Sequence, residues 1–225
     1  MLRLILSWFQ SHNLPRHILQ FQDGATWYSE AFLPTPFKPR SRVDPRGETR
    51  THADAVVGHF DIERAPRADK MLLPQATQLI VAEAKINSPL SSRTSHAPKF
   101  DQAARNVACI AELLRIVNRH PSKIQALAFV VIAPQEHILE ITAKLKVTSI
   151  ESAVRSRVKD FSPERDVWLI EWFLPTLETI RIEPLTWEQL IRDIASVDEH
   201  TSQGLAMFYE RCLKYNKART GLMPA

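Results

Sequence analysis

Thr77-Gln-Leu-Ile-Val-Ala-Glu-Ala-Lys85 is the stretch on which the fold turns. Leu79 to Ala82 is continuously apolar and partly β-branched, the composition of a strand buried on both faces. Residues Glu83 and Lys85 end that run, and charged groups there need a partner, water or a metal. Side chains two apart share one side of a strand, about 7 Å from each other along the backbone. The carboxylate and the ammonium therefore emerge together. An acid that holds a divalent cation beside a lysine that steadies an anion is what phosphodiester hydrolysis requires.

Working outward, prolines punctuate the chain more than glycines do, 15 against 5. Upstream, residues 1–23 read as a short helix and a connector. Asp23 or Thr26 is placed to cap a second helix through Trp27 and Glu30 to Leu33, ended by Pro34 and Pro36. Residues 34–50 are a Pro- and Arg-rich loop, Thr51 to Phe60 a strand, and 61–76 a polar excursion. Downstream, residues 87–99 suit an exposed active-site loop. Phe100 to His120 has the broad apolar face of a long helix, and Ala126 to Ala133 is a second fully buried strand.

Beyond position 135 the pattern is mostly helical. Helices are expected over Glu136–Leu145 and Thr148–Lys159, and from Leu205 to Asn216. Val167 to Leu174 fits strand or helix, and Thr179 to Ile182 a short strand. Thr186-Trp-Glu-Gln189 is a capping box opening a helix to Ala195. The expectation is an α/β fold: a core over 1–135, a central mixed sheet flanked by helices, with a mostly helical extension over 136–225 packed on it.

With 225 residues the chain can bury a sizeable core. A net charge of +4 and a pI near 9.2 tilt it mildly toward anionic partners. Cys109 and Cys212 form no CxxC pair and suit reduced, buried thiols, and the eight histidines show no HExxH spacing. The apolar start, Met1 to Phe9, is short and lacks a small-residue cleavage site, and no later run could span a bilayer. A cytoplasmic protein without membrane contact is expected.

Several carboxylates and polar groups accompany Glu83. Asp54 sits near the start of its strand, and if that strand lies beside the Glu83 strand both acids reach one hard cation such as Mg²⁺. The Ala84 carbonyl is a third ligand. Lys85 then orients or deprotonates the attacking water, or stabilises charge developing on phosphorus. Glu30, read as helical, offers a further carboxylate. Gln102 and, one turn on, Arg105 are placed to face a phosphate. Asp61 ends the Asp54 strand with the opposite parity. In the 34–50 loop, Arg40, Arg42 and Arg46 are candidates for nucleic-acid contact. The Trp168, Trp172 and Trp187 group reads as core packing rather than a base-stacking platform.

A helical acid, an Asp, Glu-x-Lys at a strand end and a helix bearing Gln resembles the PD-(D/E)xK nuclease superfamily, with its restriction-endonuclease-like fold. The matching positions are Glu30, Asp54, Glu83 with Lys85, and Gln102, across roughly the first 60% of the chain. Glu83-Ala-Lys-Ile-Asn-Ser-Pro-Leu-Ser91 and Phe100-Asp-Gln-Ala-Ala-Arg105 are similar to bacterial members of that group. The resemblance implies Mg²⁺ or Mn²⁺ as cofactor, DNA as substrate, and a role in bacterial defence, repair or mobile-element biology. Retention of the fold as a non-catalytic binding module is the alternative, and a homodimer or protein partner is left open. Two departures stand out. Ala53 replaces the Pro expected before the Asp, and only two strands precede the long helix where three are normal. The third is sought in residues 38–50 or 67–73.

Overall fold

A computed structural model describes residues 1–42, 44, 46–48, 51–61, 72–88, 90–91 and 100–220, without the side chains of 163 and 217–220. The expected exposed loop over 87–99, Arg50, and most of the 67–73 segment lie largely outside the described residues.

The buried strand read from Leu79 to Ala82 is the centre of a five-stranded mixed sheet. In chain order the elements are α1 (Leu2–Ser11), β1 (Thr26–Leu33), β2 (Thr51–Gly58), β3 (Gln78–Ala84), α2 (Gln102–Ile116), β4 (Ala126–Ala133), α3 (Ile138–Lys144) and α4 (Val147–Phe161). A helical run α5 follows (Asp166–Trp168, Leu169–Phe173 and Leu174–Thr179), then β5 (Arg181–Thr186), α6 (Trp187–Ala195) and α7 (Glu199–Thr220). The strand order is β1-β2-β3-β4-β5. The first three strands form an antiparallel meander, and β4 and β5 continue in parallel with β3.

A third strand ahead of α2 lies where the sequence suggested a helix. Thr26–Leu33 pairs with β2 from Thr26↔Gly58 to Leu33↔Thr51. Its Thr, Trp, Tyr and Phe content favours a pleated surface. Asp23-Gly24, with Gly24 at φ 76, forms the turn into the strand rather than a helix cap. Glu30, expected on a helix, is thus a strand residue.

Helices cover both sides of the sheet. Leu79, Val81, Phe129 and Val131 meet α2, α4 and α5 on one face, through Val107, Cys109, Val154 and Phe173. Ile80, Ala82, Val130 and Ile132 meet α1, α6 and α7 on the other, through Ile5, Phe9, Leu190 and Leu205. The 136–225 region also supplies β5, a longer strand than Thr179–Ile182, so the sheet crosses the expected boundary at 135. Val167 to Leu174 is helical, and the wide π turn at Leu169–Phe173 ends two residues before Pro175. Proline has no N–H for the Glu171 carbonyl and its ring crowds that turn, which favours the widening. Among the described residues no helix is long and apolar enough to cross a membrane.

Candidate active site

The site forms where β2 and β3 part. Their pairing ends at Ala55↔Ala82, and the next positions, Asp54 and Glu83, face each other across the gap. There the Asp54 side chain replaces the ladder: its Oδ2 accepts the Ala84 N–H at 2.7 Å. The N–H and C=O of one strand residue point to the same edge, so the Ala84 carbonyl faces the gap beside Asp54.

Glu83 shares the parity of Leu79 and Val81, which turns it toward α2. It is buried, with 4% of its surface exposed. Its Oε1 accepts Lys85 Nζ at 2.8 Å and Gln102 Nε2 at 2.5 Å. Its Oε2 is buried with no hydrogen-bond partner among the described residues. Burial first, then the Asp54 charge, pushes the Glu83 carboxyl above its usual 4.5, while Lys85 and Gln102 pull the other way.

Gln102 is aimed by its helix. Asp101 caps α2 by accepting the Ala104 N–H at 2.8 Å. Gln102 N–H donates to the Ser91 carbonyl at 3.0 Å, and its side-chain oxygen accepts Ser91 N–H at 3.3 Å. The amide is held from both ends, with its NH₂ on Glu83.

Glu30 lies between the pairs Ser29↔Ala55 and Ala31↔Ala53, opposite Asp54 in register. It is exposed and adopts φ 54, a left-handed conformation unfavourable for a residue with a Cβ. Strain of this kind in an edge strand, two strands from Glu83, is a local feature of the site's rim. Asp61 lies beyond the end of β2, away from this gap.

The expected basic contacts are placed differently. Arg40 bonds Asp44 Oδ2 at 2.9 Å and the Phe161 carbonyl at 3.2 Å, and Arg46 donates to the Asp160 carbonyl at 2.8 Å. Both are tied to the C-terminus of α4, whereas Arg42 stands exposed, with no such tie among the described residues. Arg105 is half-buried and its charge acts on Glu48 and Cys109 rather than on Glu83. The structure therefore brings together Asp54, Glu83, Ala84, Lys85 and Gln102, sets Glu30 at the edge, and ties Arg40 and Arg46 to the end of α4.

One participant escaped the sequence reading. Trp187, read as core packing, is buried but also donates its indole N–H to the Lys85 carbonyl at 2.8 Å. Nothing in the local pattern around residue 187 signals a partner a hundred positions earlier.

The donor set suits a hard divalent cation, since it offers two carboxylates, one with an open buried oxygen, and a backbone carbonyl. Among the described residues no group of three or more His, Cys, Asp or Glu side chains could hold a metal, so waters would complete the shell. Comparisons with protein-family models, curated proteins and solved structures return no match.

Proposed function

We propose that the chain is a divalent-metal-dependent nuclease of the restriction-endonuclease-like, PD-(D/E)xK type, acting on DNA in bacterial defence, repair or mobile-element biology. The observation that carries this reading is the pairing of a buried, open Glu83 Oε2 with Asp54 across the β2–β3 gap, next to Lys85 and Gln102. A buried carboxylate oxygen without a hydrogen bond carries a desolvation cost that a bound cation would offset. The α1-β1-β2-β3-α2-β4 order supports the same reading.

Asp54, Glu83 and the Ala84 carbonyl would hold Mg²⁺ or Mn²⁺. When bound, such an ion supplies Lewis-acid polarisation of the phosphate and a water of lowered pKa. The residues do the rest. Gln102 and Lys85 fix Glu83 in one rotamer, so its open oxygen keeps its direction. The Lys85 side chain is 12% exposed, and its ammonium would stabilise the charge that a phosphate oxygen gains as water adds to phosphorus and the ester P–O bond breaks. The attacking water gives its proton to solvent and the leaving oxygen takes one back from solvent.

The test is cleavage of plasmid DNA, single-stranded DNA and RNA with Mg²⁺ or Mn²⁺, beside calorimetric metal titration. Asp54→Asn and Glu83→Gln should abolish both metal binding and cleavage. Lys85→Ala should keep metal binding while cleavage falls roughly 10² or more. Wild-type cleavage by Glu83→Gln would overturn the assignment. A second reading, a non-catalytic nucleic-acid-binding module, is favoured by the short Lys85–Glu83 contact, which commits the lysine to its neighbour. Salt-sensitive DNA binding without cleavage under any divalent ion would select it.

A further inference from the structure

Lys85 leaves β3 between two backbone tethers. Its N–H donates to the Ile132 carbonyl on β4 at 2.7 Å, and its carbonyl accepts the Trp187 indole N–H at 2.8 Å. The lysine side chain turns to the α2 face to reach Glu83, whereas Trp187 belongs to the apolar cluster on the opposite face. The tether thus runs through the sheet edge, from the C-terminal region to the candidate site.

The indole is itself firmly held. Trp187 opens α6, whose N-terminus is capped by the Thr186 hydroxyl accepting the Gln189 N–H at 2.9 Å. The Trp187 ring lies 6.5 Å from that of Tyr209 in α7. The Tyr209 hydroxyl donates to Glu188 Oε1 at 2.8 Å, and Glu188 Oε2 accepts Gln135 N–H just past β4 at 3.1 Å. Tryptophan suits such a tether because it is a large apolar anchor carrying one directional donor and no acceptor.

We propose that Trp187 is a positioning residue for Lys85, fixing the peptide plane from which the lysine springs and so the placement of its ammonium beside Glu83. The catalytic consequence rests on the nuclease reading above. The positional claim stands on the hydrogen bond and burial alone. Losing the donor frees the Lys85 carbonyl to rotate toward water, and the flexible four-carbon side chain then samples positions away from Glu83.

Trp187→Phe removes the N–H and keeps an aromatic anchor, with Trp172→Phe, half-buried and outside the site, as control. Acylation of Lys85 in the folded protein by an amine-directed ester, quantified by mass spectrometry, should quicken by roughly fivefold in Trp187→Phe alone, the shift that loss of one ordinary hydrogen bond allows. DNA cleavage should lose roughly 10- to 10²-fold in kcat, with KM and Mg²⁺ affinity unchanged. Unchanged acylation overturns the proposal, as does a fall in kcat without it. If the wild-type protein cleaves nothing, the nuclease reading has failed and acylation alone decides the positioning role. If Trp187→Phe does not fold, indole N–H exchange in the wild-type protein decides. Strong protection at Trp187 supports the tether, and exchange as fast as that of an exposed indole overturns it.

Discussion

Glu83 is held in a state that burial disfavours. Its raised pKa means that, between the usual 4.5 and the raised value, the folded chain keeps a proton that the unfolded chain has released. Stability from this group is therefore complete below about pH 4.5 and falls as pH rises through that window. Gln mimics the protonated acid. Glu83→Gln should accordingly raise Tm at pH 8, with the difference from wild type vanishing near pH 4. Added Mg²⁺ should raise Tm of the wild type and leave Glu83→Gln unmoved, because a ligand stabilises only the state that binds it. Thermal scans against pH, with and without Mg²⁺, check both. A Glu83→Gln protein less stable than wild type at pH 8 would show that the Lys85 pairing outweighs desolvation.

The described residues of the connector between β1 and β2 form a clamp on α4. Arg40 and Arg46 reach the Phe161 and Asp160 carbonyls at the end of α4, where unsatisfied acceptors and the helix dipole favour cations. In return Arg157 of α4 donates to the Arg46 carbonyl and sits over the rings of Phe37 and Phe161 at 5.0 and 5.3 Å. Glu48 closes the joint, 3.9 Å from Arg157 and bonded by the Thr35 hydroxyl at 2.9 Å. Arg157 is only 3% exposed, so Arg157→Ala removes the countercharge of a buried Glu48 and leaves a void among three aromatic rings. Urea unfolding should show a loss of about 3 kcal/mol or more. Arg42→Ser, on the exposed turn, should stay within about 0.5 kcal/mol. Equal effects would mean that the loop is not held through Arg157.

At the scale of the molecule, the sheet ignores the boundary at 135. β5 covers the outer edge of β4 along six pairs, from Ala128↔Arg181 to Ala133↔Thr186. Helices α6 and α7 bury Ala128, Val130 and Ile132 on one face, and α4 and α5 bury Phe129 and Val131 on the other. A fragment of residues 1–135 would expose that edge and both apolar surfaces, an invitation to aggregation. It should give no cooperative thermal transition, whereas the full chain should. Circular dichroism melts of the two check this, and a sharp transition in the fragment would assign the core to 1–135 alone.

The amino-acid sequence by itself determined the parts of this protein whose burial is written into adjacent residues. Leu79 to Ala82 and Ala126 to Ala133 are short, apolar on every position and rich in β-branched residues, the pattern of strands buried on both faces, and Thr186 announces its helix because a cap acts within four residues. The Glu83–Lys85 pair was legible for the same reason, as strand parity places the two together, whereas only the family resemblance grouped Gln102 with them. Tertiary structure decided the rest. Thr26–Leu33 is a strand because β2 offers an edge to pair with, a partner that local capping signals cannot reveal. The bonds from Arg40 and Arg46 to the α4 carbonyls could not be read from the loop's composition. Trp187 reads as core until folding sets it against the Lys85 carbonyl. Hydrogen bonds and charges act over a few ångströms in space, and residues far apart in the chain come within that range only once the sheet has formed.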